Sequence, residues 1–192
     1  MVSTDQARPL RADAARNRAR LLDAAEEVFT ARGTGVRTEE VAKAAGVGVG
    51  TLFRHFPTKE ALLQAVLVRR MERLGQEAER LRGELGPGEA FLAFFALVVD
   101  ASPSKNEFAD ALAAAGVDVR EATQEAGKVV LQAVAELLAD AQRAGRVRPD
   151  LGVPEVTALM VGASRALEHL DPQDGPARRR AVEVVLAGLG AG

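Results

Sequence analysis

Three observations predict an all-α fold. Alanine, the residue with the highest helix propensity, occurs 37 times among 192 residues. Apolar residues recur at helical spacing, and no run of four or more alternates in the β manner between turn signals. The aromatic inventory is seven Phe with no Trp or Tyr, so the apolar surface must come from Ala, Leu and Val. With 47% apolar and 27% charged residues, the chain has ample material for a buried core.

Residues 1–10 are expected to be a flexible basic arm, leading into the arginine run that starts at Arg8. The helical period starts at Arg11, with Leu21, Leu22, Ala25, Val28 and Phe29 on one stripe, and ends near Arg32-Gly33, where glycine supplies a left-handed cap. Thr38 is expected to cap a short second helix, with Glu39 and Glu40 in the turn where the helix dipole favours acids; Gly46 follows its last residue, Ala45. A third short helix spans Val49 to Phe56 and stops at Pro57. Thr58 caps a longer fourth, from Lys59 to about Arg82. Further helices are predicted at 89–100, 106–115, 119–144, 154–170 and 176–189, separated by Ser102-Pro103, Gly116, Gly145 with Pro149, Asp171-Pro172 and Gly175-Pro176. The predicted organisation is an arm (1–10), a three-helix head (11–57) and, continuous with it, a bundle of about six helices (58–192).

Composition excludes several functions. No cysteine is present, which removes thiolate metal sites, cysteine nucleophiles and thiol redox sensing. The two histidines are His55 and His169, and only His169 lies outside the head, too few for a hydrolytic triad beside a second base. The chain has no Gly-x-Ser-x-Gly elbow, phosphate loop or His-Glu-x-x-His, and Glu168 and His169, as neighbours on a helix, diverge rather than forming a metal pair. Neither catalysis, metal nor cofactor is expected. The first twenty residues lack an apolar stretch, and the longest apolar run, Phe91 to Val99, falls far short of the ~20 residues a membrane span needs. A soluble, cytoplasmic protein is expected.

The net charge of −2 averages two unlike halves. Residues 1–60 hold ten Lys/Arg against eight Asp/Glu, and residues 61–192 hold fifteen against nineteen. Arg8 to Arg20 alone carries five arginines and one acid, which suits attraction to a polyanion, although a solvated leader has the same composition.

The stretch Thr38 to Phe56 reads as two short helices about a tight turn. Val41 and Ala45 face inward on the first, Leu52 and Phe56 on the second, and Val47 plugs the angle between them. Ala42 is small where the helices cross, and Gly46 stands where the turn needs a positive φ. This is the helix-turn-helix arrangement, whose second helix enters the DNA major groove.

The preceding amphipathic helix and the run Gly46-Val47-Gly48-Val49-Gly50-Thr51-Leu52-Phe53-Arg54-His55-Phe56-Pro57-Thr58-Lys59-Glu60-Ala61-Leu62 resemble the tetracycline-repressor (TetR) family of bacterial regulators over residues 14–66. Ala144 to Leu151 resembles the turn that follows a long helix in that family. The resemblance implies a sequence-specific transcriptional regulator of double-stranded DNA, most simply a repressor released from a palindromic operator. It assigns base reading to the third helix, opened by Gly48, Val49, Gly50 and Thr51, with Arg54 able to pair with guanine and Arg37 a second candidate for base or phosphate. Thr38, His55, Lys59 and Arg18 are candidates for phosphate grip. Many relatives carry a phosphate-bonding tyrosine where this chain has Phe53.

The resemblance further implies a homodimer binding a small effector in its body. The all-apolar segment Phe91, Phe94, Phe95 and Val98 is expected to be buried on every side, and with Met71, Leu74, Phe108 and Leu112 it gives candidate walls for an apolar pocket. Asn106, Thr123, Gln124 or Arg165 would orient an apolar effector there, although an ordinary packed core explains the same residues. Leu159, Gly162, Ala163, Ala166 and Leu170, with Val182, Val185, Leu186 and Leu189, are the candidate dimer interface, with intramolecular packing as the competing explanation. Arg178-Arg179-Arg180 reads as a solvated face or helix-start loop. The alternatives are an effector-independent regulator and, far behind, a helical enzyme.

Overall fold

The computed structural model describes residues 7–171 and 173–190. Ten helices occur among them: α1 (Ala7–Arg32), α2 (Thr38–Ala44), α3 (Val49–His55), α4 (Lys59–Glu84), α5 (Pro87–Asp100), α6 (Ser102–Ala114), α7 (Val119–Ala122), α8 (Gln124–Arg143), α9 (Val153–Leu167) and α10 (Gly175–Leu189). The fold is all-α, and the β pairing among the described residues is one isolated bridge, Val147 with Gly190. No described helix is long and apolar enough to cross a membrane.

Several boundaries differ from expectation. Residues 1–6 of the predicted arm lie outside the described residues, and 7–10 form the first turn of α1. The helix predicted over 119–144 is interrupted at Thr123, whose backbone (φ −117°, ψ 13°) is not helical, so α4 to α10 number seven rather than about six. Helices α5, α9 and α10 begin with Pro87, Pro154 and Pro176 inside their first turns. Proline is compatible with that position because its missing N–H would have no helical partner there.

The chain forms two compact units, and α4 and α6 each contribute residues to both. The first comprises residues up to Leu67 with Glu107–Val119. Its core gathers Leu21, Ala25 and Phe29 of α1, Val41 and Ala42 of α2, Leu52 of α3, Leu62 and Val66 of α4, and Phe108 and Leu112 of α6, all wholly inaccessible. Phe108 meets Phe29 edge-on, with ring centroids 5.9 Å apart at 79°. The Glu107 carboxylate accepts from the Thr34 N–H at 2.7 Å, holding the loop after α1. Gly33 (φ +80°) ends α1 in the left-handed conformation, as expected.

The second unit comprises Val68–Asn106 and Arg120–Gly192. Here α5 packs against α8, α9 and α10. Phe91, Phe94 and Phe95 pack in one cluster with Val134 and Leu137 of α8 and Val156 and Met160 of α9. Contrary to expectation, α5 is not buried all round: Leu92, Ala93, Ala96 and Leu97 are half-exposed, because no helix of this unit covers that face completely. Arg82 ties α4 to α8 through Glu136 and through Asp140 at 3.2 Å. Arg178 is also no solvated side chain: it is 13% exposed, donates to the Leu167 carbonyl at 3.1 Å and pairs with Asp100 at 3.4 Å. Asn106 donates to Glu168 at 2.5 Å and to Ser164 at 3.4 Å, so this buried amide is satisfied within the unit.

Gly88 shows how closely this unit is packed. A Cβ there would stand 2.2 Å from Cγ and 2.6 Å from Cβ of Arg146, at the root of that side chain. The gain in helix propensity from Gly88→Ala, ~1 kcal/mol at most, is outweighed by an overpacking cost of ~1–3 kcal/mol. Gly88→Ala is expected to lower the unfolding midpoint in a denaturant titration; an unchanged or raised midpoint would show that Arg146 moves aside freely.

Candidate nucleic-acid interface

The head is built around α2 and α3. Val41 and Ala45 on α2 and Leu52 and Phe56 around α3 are at most 5% exposed, on the faces the sequence assigned inward. Gly46 has φ +66°, and the N–H groups of Gly46 and Val47 return to the carbonyls of Lys43 and Ala42. The chain therefore reverses within three residues and enters α3 at Gly48, whose extended backbone makes it the N-cap.

The opposite face of α3 is turned out. Val49 is 36% and Phe53 40% exposed, and Gly50 and Arg54 lie open beside them. Residues 49, 50, 53 and 54 share one side of a helix, so two apolar side chains and an arginine stand in solvent while Leu52 is buried. Apart from the adjoining backbone, no atom lies within 4 Å of where a Cβ would sit at Gly48 or Gly50, so the fold itself leaves that space clear. The Arg54 guanidinium is folded onto its own helix: Nε donates to the Gly50 carbonyl and Nη2 to the Thr51 hydroxyl, both at 3.1 Å. The first turn of α3 also offers unsatisfied backbone N–H groups, which suit an anion.

The candidates for phosphate grip fall into different settings. His55 and Lys59 are half-exposed, and Arg37 is exposed at the N-cap of α2. Thr38 is not the cap expected of it: it is the first helical residue and 7% exposed, and Arg37 before it holds the cap position without a side-chain capping bond. Thr58 does cap α4, its hydroxyl accepting from the Ala61 N–H at 3.1 Å. The backbone N–H of Glu60, and after it Thr58, hold the Glu60 carboxyl below the usual range. Arg18 lies 5.2 Å from the centroid of the Phe56 ring, a cation–π contact that ties α1 to the end of α3.

Two contacts were not foreseen. Arg20 donates to the Ala45 carbonyl at 2.9 Å, and Arg32 pairs with Glu40 at 2.5 Å. Both join α1 to α2 across the chain, and no local sequence signal marks them.

In the body, Phe91, Phe94 and Phe95 are wholly inaccessible in the second unit, with Val98 nearly so, while Phe108 and Leu112 belong to the core of the first. Met71 and Leu74 are half-buried. None of these eight lines either of two open clefts of the second unit: one of about 640 Å³ between α4 and α8, around Gly75 and Val129, and one of about 830 Å³ between α5 and α10, around Leu97, Arg178 and Val182. Thr123 is buried at the start of α8, and Gln124 is exposed.

On the other candidate surface, Leu159, Gly162 and Ala166 are exposed, and Ala163, Leu170, Val182, Val185 and Leu186 half-exposed. Leu189 is 2% exposed within the chain's own core, where Arg148 N–H holds its carbonyl at 3.0 Å. Val161 (50%) and Val184 (73%) are exposed apolar residues that the sequence reading missed. A small exposed valine on a polar helix face has no periodic signature.

Fold and site together define a helix-turn-helix protein whose second helix presents an uncovered reading face. A family model described as "Bacterial regulatory proteins, tetR family" matches residues 21–66, and one described as "Transcriptional regulator SbtR-like, C-terminal domain" matches residues 86–191. The chain is 42% identical to a TetR transcription regulatory protein from Mycobacterium vanbaalenii, whose crystal structure superposes with a TM-score of 0.75 over 95% of this chain and 99% of that one. It is 30% identical to the TetR regulator SCO0520 from Streptomyces coelicolor, with a TM-score of 0.71 over 91% and 98%. It is also 36% identical to the regulator SrpR from Pseudomonas putida, over 58% of this chain and 53% of SrpR, about half that relative's length. The chain belongs to the TetR family of DNA-binding transcriptional regulators.

Proposed function

We propose that the protein is a homodimeric repressor that binds a palindromic operator and is released from it by a small apolar effector. The observation that carries the DNA-reading part is the outward face of α3, where Val49, Phe53 and Arg54 stand in solvent with no role in the core. Val49 and the Thr51 methyl suit thymine methyl groups, and Arg54 suits the N7 and O6 acceptors of guanine. Arg37, His55, Lys59 and the α3 N-terminus grip phosphates and set the register. The dimer is supported by the uncovered Leu159, Val161 and Val184 on α9 and α10, since a two-fold pairing of these helices removes them from water. Leu189 is no part of that interface.

The effector has less behind it. Phe91, Phe94 and Phe95 are wholly inaccessible within the second unit, so an effector seated among them must first open that core. That close packing favours effector-independent regulation as a second reading. Footprinting the DNA upstream of the protein's own coding sequence tests the repressor reading: two protected half-sites are expected, centred about 34–36 Å apart and bound by a dimer. No protected palindrome at low salt would overturn it.

A further inference from the structure

We propose that Arg20 is a specificity-determining residue that touches no DNA: it fixes the turn between α2 and α3 by holding the Ala45 carbonyl. Gly46 and Gly48 stand in that turn and Gly50 follows inside α3, and each glycine widens the range of backbone conformations open to the chain. Neither Gly48 nor Gly50 has a neighbour within Cβ contact that would restrain it from the side.

Ala45, the C-cap of α2, leaves its carbonyl pointing out of the helix end, and among the described residues no backbone N–H donates to it. The Arg20 guanidinium, 25 residues upstream on α1, supplies the partner through Nη2 at 2.9 Å. The same nitrogen lies 3.1 Å from where a Gly46 Cβ would stand, so the guanidinium covers the turn as well as the carbonyl. A cation at a helix C-terminus also meets the negative end of the dipole. The clamp reaches α3 from one residue beyond α2, so the angle at which Val49, Thr51 and Arg54 meet base edges follows from α1. Arg18, two residues earlier, holds the other end of α3 through Phe56. Part of the basic run on α1 therefore works inside the head, a role that charge counting assigns to phosphate attraction instead.

A phosphate contact and a positioning contact differ in what they protect. Losing a phosphate contact weakens binding to any sequence and lowers the salt dependence of log K by about one power of salt concentration. Losing the clamp disorders the reading face, which matters only where bases are read. The experiment uses the full chain, a duplex selected from a random-sequence pool, and an unrelated duplex of equal length. Arg20→Gln is expected to weaken binding to the selected duplex by about tenfold or more and to leave the unrelated duplex within about twofold, with the salt slope unchanged. Arg20→Lys, which keeps one charged donor, is expected to recover most of the loss. Thermal melting followed by circular dichroism should place both variants within about 4 °C of the parent. A parallel loss on both duplexes with a lower salt slope would make Arg20 a phosphate contact and overturn the proposal. So would unchanged discrimination, failure of Arg20→Lys to recover binding, or a melting point so low that unfolding explains the loss.

Discussion

Phe29→Ala is expected to remove about 3–5 kcal/mol of stability, the range for deleting a wholly buried phenyl ring. The ring is inaccessible and stands edge-on to Phe108, so the loss includes an aromatic pair of ~0.5–1.5 kcal/mol beyond simple burial. Against a typical total of ~5–15 kcal/mol, one substitution takes a large share. The partner ring comes from α6, almost eighty positions away, and the reading helix rests on this same core. Urea titration should show the drop, and DNA affinity should collapse near the new midpoint. Phe29→Leu, which refills most of the space, should restore both. A loss below about 1 kcal/mol would mean that the core collapses around the gap without a void.

Phe53→Tyr is expected to act in the opposite direction. The ring is 40% exposed on the outward face of α3, so a para hydroxyl projects into solvent in the free protein and leaves stability unchanged. On DNA, a hydroxyl bonded to a charged phosphate contributes ~1.5–3 kcal/mol, or about ten- to a hundredfold in affinity. Binding isotherms at one fixed salt concentration would read it directly. Equal affinities for parent and variant would exclude a phosphate beside this ring and move Phe53 to the base edges.

The parts of the fold legible in the sequence were those set by local chemistry. Gly33 and Gly46 at positive φ, Thr58 as a cap, and the inward faces of α2 and α3 follow from glycine conformation, hydroxyl capping and helical period. Two kinds of feature were not legible. The helix expected from residue 89 already begins at Pro87, and Gly175-Pro176, expected to separate two helices, opens α10, because a missing N–H has no consequence in a first turn. The interruption at Thr123 has no glycine or proline to announce it, and that side chain is 8% exposed. Thr38 has the right chemistry for a cap but is drawn into the core, leaving Arg37 at the cap position. Within the candidate site, the outward residues of α3 could be listed from the sequence, but the clamp from Arg20 could not, because contacts between distant segments leave no periodic trace.

The empty space above Gly48 and Gly50 has a consequence for how this regulator changes over generations. A Cβ added at either position meets nothing in the protein, and at Gly50, inside a helix, alanine favours folding by ~0.5–1 kcal/mol. On the proposed reading of α3, target preference can drift through Gly50 without a destabilised intermediate, whereas Gly48, as the N-cap, best accepts Asn, Asp, Ser or Thr. On that reading, gene duplication followed by a change at Gly50 yields a second regulator, equally well folded and addressed to a different promoter.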